Sequence, residues 1–201
     1  KGKPMPTKTS KKSTKTDIKG HVVQVAMTMS AAQGWAGLTL HAIAREAGLS
    51  LAELHEAFED KTDILVAFGR MIDKVVLENA SAPDDEESPR ARLFDLLMDR
   101  YEALNPYRAG LRSVLDSFLC DPKQAIISLP HLCRSMTWML EAAGIDTNGL
   151  KGVVKVAGLT ALYLRVLKVW KEDDSADLSK TMAALDKSLD RAEQAANSFG
   201  I

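Results

Sequence analysis

Thr39-Leu40-His41-Ala42-Ile43-Ala44-Arg45-Glu46-Ala47-Gly48-Leu49-Ser50-Leu51-Ala52-Glu53-Leu54-His55-Glu56-Ala57-Phe58 reads as two short helices joined by a tight turn. Thr39 can cap the first helix, in which Leu40, Ile43, Ala44 and Ala47 recur at helical spacing. Gly48 supplies the left-handed turn residue. Ser50 can cap the second helix, where Leu51, Leu54 and Phe58 stand three and four apart and are expected to face inward together. Two short helices around a glycine turn make a helix-turn-helix, whose second helix is the one laid into a DNA groove. The charges point the other way. Glu53, Glu56, Glu59, Asp60 and Asp63 stand against a single base, Lys61, in a segment that would have to approach dense negative phosphate.

Upstream, Asp17 is a plausible N-cap for a helix carrying Ile18, Val22, Val25, Ala26 and Met29 at helical spacing and ending before Gly34. Residues 1–16 hold Lys1, Lys3, Lys8, Lys11, Lys12 and Lys15 with no acid, a composition that cannot bury a core and is expected to be a disordered basic tail. It reads either as a solvated tail or as an arm that touches DNA. Downstream, Lys61 opens a further helix through Ile64, Leu65, Phe68, Ile72 and Val75 toward Asn79. The expected helix-turn-helix domain is therefore 17–80.

The run Ser81-Ala82-Pro83-Asp84-Asp85-Glu86-Glu87-Ser88-Pro89 reads as a loop and boundary, with Ser88 and Pro89 as a helix-start signal. The second domain is placed at 88–201. Helices are expected over 89–104, 107–119, 122–143, 148–171 and 177–197, separated by Asn105-Pro106, Asp121-Pro122, Gly144 and Asp173-Asp174-Ser175, with Pro130 kinking or splitting the third of them. No strand-like alternation is present. The fold class is all-α: a three-helix N-terminal helix-turn-helix module followed by a larger C-terminal helical bundle.

The chain has 201 residues, 46 % of them hydrophobic, and a formal net charge of -1, so any attraction to nucleic acid must be local. Cys120 and Cys133 lie in apolar helical surroundings, and a reduced, cytoplasmic protein is the reading of the chain. Catalysis finds no support. His21, His41, His55 and His131 are scattered, and no metal-binding spacing, phosphate loop or nucleophile elbow occurs. Neither an enzyme nor a cofactor nor a metal is expected.

The N-terminal module resembles the TetR family of bacterial one-component regulators. The resemblance rests on Val22 to Ala26, Gly34-Trp35, Thr39, Ile43-Ala44, Ala47 to Ser50, Leu54, Phe58 and Lys61 at their spacings. It implies a homodimer whose C-terminal helices take a small ligand and whose paired modules hold operator DNA. Against the family's usual pattern, Ala52 stands where glycine is common, Glu53 for threonine, His55 for tyrosine and Ala57 for histidine. The run from Trp170 to Leu178, continuing from Thr181 to Asp186, also resembles the TetR-fold accessory proteins of coenzyme Q biosynthesis, which carry an isoprenoid lipid and no longer read DNA. The leading expectation is a TetR-type repressor released by an apolar or amphipathic ligand, without membrane insertion. The alternative is a lipid-binding accessory protein of that second kind.

The candidate DNA contacts are Thr39, His41, Arg45, Ser50, Leu51, Ala52, Glu53, His55 and Lys61. Hydroxyls at helix starts suit phosphate, but ordinary capping explains Thr39 and Ser50 equally well. Phe94, Met98, Tyr101, Phe118, Met136, Trp138, Met139 and Tyr163 supply aromatic and flexible surface for an apolar cavity, or plain core. The helix over 148–171 is apolar on nearly every side and must be covered twice. Val154, Gly158, Ala161 and Arg165 on it, with Leu178, Met182, Leu185 and Leu189 on the last helix, form the expected dimer interface; the competing reading is a bundle closed within one chain.

Overall fold

A computed structural model describes the backbone of residues 10–80 and 87–199, and the side chains of residues 18–80 and 87–198. Among the described residues it contains α1 (Ser10–Gln33), α2 (Leu40–Glu46), α3 (Leu51–Ala57), α4 (Lys61–Asn79), α5 (Pro89–Leu104), a 3-10 turn (Asn105–Tyr107), α6 (Arg108–Cys120), α7 (Pro122–Ala142), α8 (Gly149–Lys171) and α9 (Ser179–Phe199), with no strand. The fold is all-α with an N-terminal helix-turn-helix. Helix α1 starts ahead of the Asp17 cap read from the sequence. Residues 1–9 of the basic stretch lie outside the described residues, as do 81–86 of the acidic run.

The chain divides into two compact units. The first holds the residues up to Phe68 together with Ala109–Gln124, so α6, placed by sequence in the C-terminal bundle, packs with the N-terminal helices. The reason is a close approach of backbones. Gly110 lies so near α1 that a β-carbon on it would overlap the Met27 carbonyl. The Ser30 hydroxyl donates to the Gly110 carbonyl at 2.9 Å, and Trp35 N–H donates to Ser113 Oγ at 2.8 Å. Around this contact Val22, Val23, Ala26, Trp35, Leu38, Ile43, Ala44, Leu54, Phe58 and Ile64 form the buried core. Fully burying one such aliphatic or aromatic side chain is worth roughly 1.5–3 kcal/mol, which short helices need because they are unstable alone.

The second unit holds Gly69–Arg108 and Ala125–Ile201. Here α9 packs on α8 and α5, through a core of Leu97, Tyr101, Met136, Met139, Tyr163, Val166, Trp170 and Leu185. Arg90 of α5 clasps Asp186, Asp190 and Glu193 of α9. At the α8–α9 turn, the buried Asp173 carboxylate accepts from the backbone N–H and hydroxyl of both Ser175 and Thr181. Burial works to raise its pKa, yet these four hydrogen bonds outweigh it and hold the group well below the usual carboxylate range. They also hold Leu178 at φ 54, a left-handed conformation for a residue whose side chain is buried.

Helix α7 runs unbroken through Pro130, where the sequence reading allowed a split. Proline removes the N–H that would bond the Ile126 carbonyl. Pro130 and Ile126 are both exposed, so water can take the freed acceptor. No helix among the described residues is long and apolar enough to cross a membrane.

Candidate nucleic-acid interface

The helix-turn-helix is built by local hydrogen bonds that the sequence encodes. Gly34 at φ 86 ends α1, and Gly48 at φ 68 turns the chain after α2, a conformation that costs any residue with a β-carbon. In that turn Gly48 N–H donates to the Arg45 carbonyl and Leu49 N–H to the Ala44 carbonyl. Thr39 Oγ1 accepts from Ala42 N–H at 3.1 Å, the N-cap of α2.

Ser50 and Glu53 form a reciprocal capping box at the start of α3. Ser50 Oγ accepts from Glu53 N–H at 3.2 Å, while Glu53 Oε2 accepts from Ser50 N–H at 2.9 Å and from Ser50 Oγ at 2.8 Å. The hydrogen bonds from the Ser50 backbone and hydroxyl lower the Glu53 pKa, so the carboxylate is ionised at neutral pH and accepts only. Asp60 and Asp63 are engaged in the same way: Asp63 N–H donates to Asp60 Oδ1 and Glu59 N–H to Asp63 Oδ2, both at 2.9 Å. Three of the five acids that made this segment look hostile to DNA therefore cap helix N-termini. Negative side chains are favourable at helix N-termini.

The candidate DNA residues fall into two groups. His41 and Arg45 on α2, with Ser50, Leu51, Ala52, Glu53 and His55 on and before α3, are all exposed, as is Thr39. Leu51, expected to face inward, is 50 % exposed. On a helix this short Leu54 and Phe58 complete the buried stripe, and position 51 falls outside it. Lys61 is turned inward instead. Its ammonium donates to the carbonyls of Trp35 at 2.9 Å and Leu38 at 2.8 Å and sits 5.0 Å from the centre of the Trp35 ring, while burial lowers its pKa. It ties the start of α4 to the α1–α2 connection. Lys19, which the sequence reading did not single out, lies over the Phe58 ring at 5.4 Å, and His21 Nε2 is 3.3 Å from the Ala47 carbonyl.

Of the residues expected to line an apolar cavity, Met98, Tyr101, Met136, Met139 and Tyr163 are buried in the second unit and Phe94 is half-buried. Trp138 is 56 % exposed, and Phe118 belongs to the first unit. Among the buried set runs a polar network that sequence reasoning missed, because its members lie on four helices. Arg100 of α5 pairs with Asp73 of α4, and Ser135 of α7 donates to the same carboxylate. Arg100 Nε donates to the Tyr163 hydroxyl at 3.2 Å, and Tyr101 stacks on Tyr163 with ring centres 5.1 Å apart.

The expected interface residues also separate. Val154, Gly158, Ala161, Arg165 and Met182 are exposed. Leu178, Leu185 and Leu189 are buried inside the chain, so these three side chains pack within it. A heptad-like pattern does not say which helix it meets. On α8 the face opposite the core is left open, with Leu150, Val153, Val154 and Leu164 all exposed.

Residues 22–68 match the model of the bacterial regulatory proteins, tetR family. The structure is similar to that of a TetR transcriptional regulator from Nitrosomonas europaea, with a TM-score of 0.70 and 25 % identity, covering 88 % of this chain and 98 % of that one. It also shares its fold with a TetR transcriptional regulator from Rhodococcus sp. RHA1, at a TM-score of 0.57 and 20 % identity over 87 % of this chain and 97 % of that one. Curated protein sequences give no match.

Proposed function

We propose that the chain, whose residues 22–68 match the model of the bacterial regulatory proteins, tetR family, and whose fold is similar to that of a TetR transcriptional regulator, works as a homodimeric repressor relieved by an apolar or amphipathic small molecule. The observation that carries the dimer is the open face of α8. Val153 is 63 % and Val154 47 % exposed, and Met182 of α9 is 43 % exposed, a set of apolar side chains that a second copy would cover. Gly158 and Ala161 on the same helix keep the surface low enough for close helix packing. The ligand would enter the second unit among Met98, Tyr101, Met136, Met139 and Tyr163, where apolar and aromatic surface surrounds a few polar groups.

The DNA surface would be formed by His41, Arg45 and the exposed side of α3. Three of its acids act as helix caps and keep their negative charge, so cations must come from elsewhere in the chain. The lysines of residues 1–16 would supply the phosphate attraction that the module lacks. Sedimentation of the full chain, followed by binding to duplexes from its own genomic neighbourhood over a range of salt, tests the reading. A dimer whose DNA affinity falls with salt is expected, weakened by removing residues 1–16. A monomer, or a dimer that binds no duplex at low salt, sinks the repressor. In the second case a long-chain isoprenoid copurifying with the protein would establish the carrier alternative.

A further inference from the structure

We propose that Glu53 is a base-reading residue, selecting cytosine in the operator half-site by accepting a hydrogen bond from the cytosine amino group. The inference rests on the DNA-binding reading above and adds to it the identity of a base. A recognition helix contacts base edges with its N-terminal residues, and in α3 these are Leu51, Ala52 and Glu53, all exposed.

Their chemistry is restrictive. The exposed side chains of α3 are Leu51, Ala52, Glu53, His55 and Glu56, which include no arginine, lysine, asparagine or glutamine. The bidentate donors that commonly read guanine are absent from this helix. An ionised carboxylate can pair only with a donor, and the major groove offers donors at the amino groups of cytosine and adenine alone. Adenine also presents the N7 acceptor beside its amino group, which would repel a carboxylate; cytosine does not. Leu51 and Ala52 complement a thymine methyl rather than a polar edge.

The capping box decides between Glu53 and Glu56. Glu53 is held by Ser50 through Oε2 alone, leaving Oε1 for a base. Its rotamer is fixed before DNA arrives, so little side-chain entropy remains to be lost. Among the described residues no hydrogen bond or ion pair holds Glu56, and orienting it would carry that cost. The lowered pKa of Glu53 keeps the acceptor ionised through the physiological range.

The substitution Glu53→Gln separates reading from folding, because glutamine also completes a capping box yet presents a donor beside its acceptor and pairs with adenine. Selection from a random duplex library with the full chain is expected to return a half-site containing cytosine at one position. With Glu53→Gln the preference at that position should pass from cytosine to adenine, by about tenfold in relative affinity. The rest of the motif and the melting temperature should stay unchanged. Glu53→Ala should leave the position unselective. An identical motif from wild type and Glu53→Gln would overturn the role of Glu53 while leaving the regulator intact. Failure of wild type to enrich any motif would overturn the DNA reading itself, and this inference with it.

Discussion

The helix-turn-helix and the interior of the second unit use polar groups in opposite ways. In the module, polar side chains act over three or four residues: Thr39 on Ala42, Ser50 and Glu53 on each other, Asp60 on Asp63. In the second unit Asp73, Arg100, Ser135 and Tyr163 converge from four helices, Asp73 half-buried and the other three shielded from water. Local polar bonds at a surface set where helices begin. Long-range ones in an interior set how helices are placed, and they leave large penalties when one member is lost.

The largest effect should come from breaking the interior network. Asp73→Ala leaves the buried Arg100 charge without its carboxylate, and a loss of about 3–5 kcal/mol is expected from chemical denaturation. A loss under about 1 kcal/mol would mean that water reaches the guanidinium and that the two regions do not differ as argued. Gly110→Ala comes next. The added methyl meets the Met27 backbone, so α1 and α6 must separate, at about 1–3 kcal/mol or more. The thermal midpoint reads this directly.

Asp173→Ala removes the acceptor for four hydrogen bonds and should cost about 2 kcal/mol. The wild-type group also makes a prediction in pH. Its folded pKa is depressed, so the stability it contributes is complete above the ordinary carboxylate value of about 3.9. That contribution declines progressively as pH falls below this value toward the depressed one. Denaturation followed from about pH 4 downward should show a decline that is smaller in Asp173→Ala. The smallest effect belongs to the module: Ser50→Ala should destabilise by about 1 kcal/mol, and an effect as large as that of Asp73→Ala would erase the contrast between the regions.

The same contrast explains what could be read from the chain. The caps Thr39, Ser50 and Ser88, the turn at Gly48 and the helix over Pro89–Leu104 were legible because each depends on residues a few positions apart. The placement of α6 against α1 was not, since Gly110 carries no signal that its missing β-carbon faces Met27. Nor was the burial of Leu178, Leu185 and Leu189 within the chain, because periodicity identifies a packing face but not its partner. For the candidate site, residue types gave the exposed set around α3, but a list of charges could not distinguish an acid that caps a helix from one that meets the solvent. Lys61 illustrates the opposite error: a cation beside a DNA-type helix reads as a phosphate contact until its two carbonyl partners are seen.

That lysine also has a chemical consequence. An ammonium that donates to two carbonyls and rests against an indole is half-buried and obstructed to an approaching reagent. Lys61 should therefore resist acylation and tryptic cleavage while the module is closed, and react whenever the start of α4 lifts from Trp35 and Leu38. Its labelling rate, followed by mass spectrometry, would report the opening of this unit without any added probe.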